Sequence, residues 1–203
     1  MNREKVLRII DETKNVNLVV ASKYISSLEI LELRKLGIRN FGENRTDAFL
    51  KKYEELKDED IVWHFIGHLQ TNKAKEVINK IDYLHSLDSL KLASIINKTR
   101  NDKLKCFVEV HMTDSSTKSG VLKEELEPFL EELKKYDKVE VIGLMTMTEP
   151  EQTKEEKLRV FSDLKALADK YNLKELSMGM SDDYQEAIKA HATYIRLGRI
   201  ICF

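Results

Sequence analysis

The chain has 203 residues, 42% hydrophobic and 34% charged, the composition of a folded globular protein and not of a disordered or fibrous one. Lys+Arg number 34 and Asp+Glu 35, so a net charge of -1 gives no overall attraction to nucleic acid or to an anionic membrane. No apolar run reaches the ~18 residues a membrane span needs and the N-terminus carries no signal-type apolar core, so a cytoplasmic protein is expected.

In chain order, a charged, helix-periodic N-terminus precedes N-L-V-V-A-S-K-Y, an apolar strand over 17–22 that runs into Lys23. Ser26-Ser27-Leu28-Glu29 is a capping-type helix start, and the helix through Leu36 meets a stop at Gly37. Strands follow at 38–41, 61–66 and 82–86, and the charge run over 51–60 reads as a solvated helix face and loop. A fifth strand spans 105–111. The helix expected over 122–136 carries Leu122, Leu126, Phe129, Leu130, Leu133 and Tyr136 on one face. Pro128 fits there only if the helix proper begins close before it. A strand at 139–145 leads to a helix over 151–171 striped by Leu158, Phe161, Leu164, Leu167 and Ala168. Strands at 175–178 and 192–197 complete the pattern. No linker-like segment interrupts it, so one domain over 1–203 is expected. Cys106 and Cys202 have neither metal-site nor redox-motif spacing and read as reduced thiols.

Strands separated by helices imply a parallel sheet. Eight such repeats in 203 residues fit a compact (β/α)8 barrel of the TIM type, whose lower size limit is ~200 residues. The alternative is a doubly wound open sheet, which would carry a Gly-rich turn after its first strand; here that turn reads A-S-K-Y-I-S-S.

In a barrel the chemistry sits where strands end. A lysine there can be a rim charge, can pair with a phosphate, or can form a Schiff base with a carbonyl compound. Lys23 alone leaves all three open. The last two loops narrow the choice. Ser181 stands where a helix should begin, with Asp182-Asp183 in its first turn and Gly179 before it, and Gly198 follows the last strand, two residues after Arg196. Loops after the seventh and eighth strands are a frequent phosphate site of this fold. A phosphate facing a Schiff-base lysine is what pyridoxal 5′-phosphate requires. His64 and His68 straddle a strand and its turn, so their spacing does not make a metal pair, and no metal site is expected.

The motifs V-V-A-S-K, N-F-G-E-N-R, W-H-F-I-G-H-L-Q-T-N-K, S-L-D, S-S-T-K-S-G, G-L-M-T-M and L-S-M-G-M-S-D-D-Y-Q-E-A-I resemble those of the pyridoxal-phosphate homeostasis proteins, the YggS or PROSC family. The similarity runs from about Asn17 to Gly198. It implies an alanine racemase N-terminal domain-like barrel, with pyridoxal 5′-phosphate held as a Schiff base on Lys23. It further implies that Ser181 and the backbone around Gly198 and Arg199 hold the phosphate, and that Arg196 lies beside the pyridine ring. Asn44, Met178 and the H-L-Q-T-N-K loop would line the pocket, with His64 on the strand leading to it. The sequence departs from the family at Arg199, a bulky cation in the phosphate loop, and at Tyr24, which replaces a threonine.

The resemblance implies intracellular cofactor homeostasis, with pyridoxal phosphate-dependent apo-enzymes as recipients. The lack of a second acid/base residue leads us to expect no turnover and no catalytic residue, and the lack of the racemase dimer contacts a monomeric chain. A racemase-like enzyme is the alternative. A two-base racemase needs a second acid/base opposite the lysine. The chain ends five residues past Gly198, without the second domain that carries that residue in alanine racemase. Tyr24 is expected to point away from Lys23. A class I aldolase-type barrel is a weaker third reading.

Overall fold

The computed structural model describes residues 2–113 and 119–202. Helix α1 (Arg3–Glu12) precedes β1 (Asn17–Ala21), followed by α2 (Ser27–Lys35), β2 (Asn40–Glu43), α3 (Thr46–Glu55) and β3 (Val62–Phe65). The chain continues through α4 (Ala74–Val77), β4 (Tyr83–Leu87), α5 (Leu90–Thr99), β5 (Leu104–His111) and a two-residue β6 (Val121–Leu122). It ends with α6 (Leu126–Leu133), β7 (Val139–Met145), α7 (Lys154–Lys170), β8 (Glu175–Ser177), α8 (Tyr184–Lys189), β9 (Tyr194–Leu197) and α9 (Arg199–Cys202). The S-S-T-K-S-G loop lies largely outside the described residues, Lys118 included.

Eight strands close into a ring in the order β1-β2-β3-β4-β5-β7-β8-β9 and back to β1, every pair parallel. That closure is the expected barrel; an open doubly wound sheet would leave two edges. Strand β6 pairs only with β5, as a short ladder outside the ring. Successive side chains alternate between the inside of the barrel and the layer under the helices. Val19, Ala21, Ile66, Phe107, Met145 and Tyr194 form the inner apolar cluster. The far larger outer core includes Val20, Phe41, Phe65, Leu84, Val108, Leu144, Leu176 and Ile195. Among the described residues no helix is long and apolar enough to cross a membrane.

Local signals account for most boundaries. Ser26 caps α2 and Glu29 closes the capping box, while Gly37 ends the turn at φ 93°, a left-handed value that glycine adopts without penalty. Thr153 and Glu156 make the same box at the start of α7. Pro128 falls in the first turn of α6, where its missing N–H is not needed, so the helix starts at Leu126 and not at 122. Strand β2 lies two residues beyond its expected place, because Glu43 is a strand residue with its carboxylate fully buried. Helix α8 begins at Tyr184, so Ser181 belongs to the turn before it.

Candidate functional site

Strand β1 stops at Ala21, and a single 3-10 turn, Ser22–Tyr24, carries Lys23 out to the barrel mouth. What holds this turn is a buried ionic cluster. Ser22 Oγ lies 2.9 Å from Glu43 Oε1, and Lys52 Nζ, from α3, donates to Glu43 Oε1 and to the Ser22 carbonyl at 2.5 Å each. The other carboxylate oxygen accepts from the Asn44 N–H at 3.2 Å. The Lys52 side chain is only 12% exposed, which corrects the reading of 51–60 as a uniformly solvated face. A buried carboxylate needs such partners, and here they join β1, β2 and α3 beneath Lys23.

Lys23, Asn44, Ser181, Arg196 and Gly198 line one cavity of about 220 Å³, together with Tyr24, Met147, Lys157, Met180 and Arg199. That volume suits one small ligand, below the roughly 300–1,000 Å³ of larger ligand clefts. Met178 lies elsewhere: it is fully buried in the outer core. The parity of β8 explains this. Ser177 faces inward, so Leu176 and Met178 face the helices, and the methionine on the cavity wall is Met180. The 68–73 loop does not line the cavity either, because Leu69 is drawn into the core and exposed His68 turns to Asp88 at 3.3 Å.

Tyr24 does not point away from Lys23. The Lys23 amine lies over its ring, 4.7 Å from the centroid, a cation–π contact.

Three features of the cavity point to a polar ligand, the first two of them to one with an acceptor or anionic group. First, the Gly198 and Ile200 N–H groups both donate toward Ser181 Oγ, at 3.4 and 3.3 Å, so two amides and a hydroxyl converge on one spot, as in backbone anion sites. Gly179 lets the turn reach it: its φ is 92°, and a side chain there would approach Ala187 Cβ to 2.5 Å. Second, Arg196 is almost fully buried, its Nη1 donating to Ser177 Oγ at 2.5 Å and its Nη2 to the Thr146 carbonyl at 3.0 Å. Burial pulls its pKa down to about 10, which leaves it charged at neutral pH. Those two bonds use two of five N–H donors, and a guanidinium accepts nothing. Third, Asn44 Oδ1 is buried without a hydrogen-bond partner among the described residues.

The cations at the rim divide in two. Arg199 is ion-paired to Asp182, so this bulky cation is tied to its neighbour. Lys157, 8% exposed on the buried face of α7, has no ion-pair partner among the described residues. Its place among the apolar residues of α7 gave no sequence signal of a role at the site.

The chain matches, over residues 4–203, the family model described as alanine racemase, N-terminal domain. The pyridoxal phosphate homeostasis protein of Aquifex aeolicus is 40% identical over 193 residues, 91% of this chain and 85% of that protein. The protein of the same name from Synechocystis is 38% identical, with 92% and 90% covered. Among solved structures, PipY of Synechococcus elongatus PCC7942 with PLP bound superposes with a TM-score of 0.92 at 30% identity, covering 98% of each chain. Alanine racemase from Corynebacterium glutamicum shares the fold, with a TM-score of 0.76 at 14% identity over 98% of this chain and 58% of that one. With relatives of this similarity along nearly its whole length, the chain belongs to the pyridoxal phosphate homeostasis protein family.

Proposed function

We propose that this protein binds pyridoxal 5′-phosphate at Lys23 and serves intracellular homeostasis of the cofactor as a carrier without catalytic turnover. The observation that carries the reading is the convergence in one cavity of a primary amine, a hydroxyl–amide anion site and a buried arginine. PipY, similar along its whole length, is a structure with PLP bound. When bound, the cofactor supplies an aldehyde that condenses reversibly with a primary amine, which is the role assigned to Lys23.

The chain's own residues do the rest. Ser181 and the Gly198 and Ile200 amides receive the phosphate, and Lys157 adds the positive charge that Arg199, tied to Asp182, does not. Arg196, able only to donate, would hold the ring nitrogen as an acceptor. A nitrogen held unprotonated makes the ring a weak electron sink, which suits holding the cofactor more than turning it over. Tyr24 lies against the Lys23 amine itself, so it is not an acid/base group on the opposite face. Hand-over to pyridoxal phosphate-dependent apo-enzymes belongs to the same proposal, as does a monomeric state.

The test is an absorption spectrum of the protein with cofactor, followed by borohydride reduction and peptide mapping. A reduced adduct on Lys23, lost in Lys23→Ala, is expected. An adduct that persists on Lys157 or Lys118 would overturn the assignment. Racemisation of L-alanine at stoichiometric protein would move the chain to the enzyme class.

A further inference from the structure

Behind Arg196 the barrel interior holds a row of polar side chains that the cofactor reading above does not use. From Arg196, Nη1 reaches Ser177 Oγ at 2.5 Å, and that oxygen lies 2.7 Å from His85 Nδ1. His85 Nε2 lies 2.9 Å from His64 Nδ1, and His64 Nε2 lies 3.0 Å from Asn40 Oδ1. The five residues stand on β9, β8, β4, β3 and β2, so the row crosses the barrel from the cavity floor to the far side. Both histidines and Ser177 are fully buried.

With the Asn40 carbonyl oxygen toward His64 and both histidines neutral, one direction satisfies every group in the row. A guanidinium donates and never accepts, so Ser177 Oγ accepts from Arg196, and its own proton is free to go to His85 Nδ1. His85 then carries its proton on Nε2 and donates it to His64 Nδ1. His64 in turn carries its proton on Nε2 and donates it to the Asn40 carbonyl oxygen. The carbonyl at the end can only accept, and with neutral histidines that sets the polarity of the whole row. A proton added to either histidine would set two N–H groups against each other or against the Ser177 hydroxyl. The groups around the row agree with this. Tyr83 stacks on His64 at 4.5 Å, and Phe107 and Tyr194 pack on His85. The nearest carboxylates, Asp183 and Glu109, act on Arg196.

We propose that His85 and His64 are positioning residues for Arg196, forming a one-directional relay, ended at Asn40, that holds the guanidinium as a fixed donor toward the cofactor ring. Each bond in such a chain polarises the next. The relay therefore holds both the orientation of Arg196 and the acceptor state of the ring nitrogen opposite it. This rests on the proposed cofactor site, and the experiment separates the two.

The first arm needs no cofactor. Long-range 1H–15N spectra of the full-length protein should show His64 and His85 as neutral Nε2–H tautomers, unchanged from pH 8 to pH 5.5. A Nδ1–H tautomer at either residue, or an imidazolium in that range, would overturn the relay. The second arm compares His85→Gln with His85→Leu. Glutamine can accept from Ser177 through its carbonyl and donate to His64 through its amide, whereas leucine does neither. Expected are cofactor affinity within about threefold of the parent for His85→Gln, and about tenfold weaker binding with a shifted absorption maximum for His85→Leu. Should His85→Leu fail to fold, Ser177→Ala cuts the same row beside Arg196. It should shift the bound absorption, while His64, still donating to the Asn40 carbonyl, keeps its Nε2–H tautomer. Equal behaviour of His85→Gln and His85→Leu, or an unshifted spectrum in Ser177→Ala, would refute the positioning role. A parent protein that binds no cofactor would instead sink the cofactor reading, with the tautomers still deciding the relay.

Discussion

Replacing Lys52 with methionine tests how the Lys23 turn is held. The Glu43 carboxylate is 0% exposed and the Lys52 side chain 12%, and the amine bonds both Glu43 and the Ser22 carbonyl. Methionine keeps the packing volume but leaves a buried carboxylate without its counter-charge. Breaking a buried pair from one side costs about 3–5 kcal/mol. At roughly 2–4 °C per kcal/mol for a domain of this size, the melting temperature should fall by about 6–20 °C. The double variant Glu43→Gln/Lys52→Met removes the orphaned charge and should recover much of that loss. Differential scanning calorimetry at pH 7 on the three proteins gives the result. A Lys52→Met protein melting within about 2 °C of the parent, or a double variant no better than the single, would refute the cluster as the clamp on this turn.

Acid should destabilise the protein through the interior histidines. Burial lowers the pKa of His64 to about 3 and holds that of His85 well below the usual range, whereas both titrate near 6.5 when unfolded. Their neutral forms stabilise the fold fully above about pH 6.5, and that contribution is lost as pH falls from there toward 3, since only the unfolded chain takes up the protons. From pH 6.5 to 5 each histidine should remove about 2 kcal/mol, and His64→Gln should flatten the fall in melting temperature. Lys157→Met removes a cavity-lining amine with no ion-pair partner among the described residues, so the cofactor-free protein should melt no lower than the parent. Its affinity for pyridoxal 5′-phosphate should drop about tenfold, with that for unphosphorylated pyridoxal unchanged, as titration would show.

The elements whose signals are local were legible. The apolar run before Lys23, the Ser26–Glu29 box and Gly37 each act within a few residues, and strands alternating with helices implied the barrel. The five site residues that do share the cavity followed from strand ends and from the family motifs. What stayed hidden depends on distant partners or on strand parity. Glu43 looked like a loop residue because the lysine that neutralises it sits on another element. Lys157 was masked by its apolar neighbours on α7. Met178 was assigned to the cavity because a motif does not say which way a strand residue faces. His64 and His85, 21 residues apart, meet because β3 and β4 pair side by side, which no local signal reveals.

The pairing of β1 with β9 joins the first and last strands of the chain, with Asn17 opposite Tyr194 and Val20 opposite Leu197. Lys23 and the Gly198 and Ile200 amides stand on opposite sides of that seam, one from each half of the ring. In the proposed site the ligand would be a clasp across the seam. It can seat only after the last strand has been made and docked, and every unit of binding free energy then opposes the opening of the ring. Occupancy of the site consequently reports that the barrel is closed, and a chain truncated at either end should be unable to retain the cofactor.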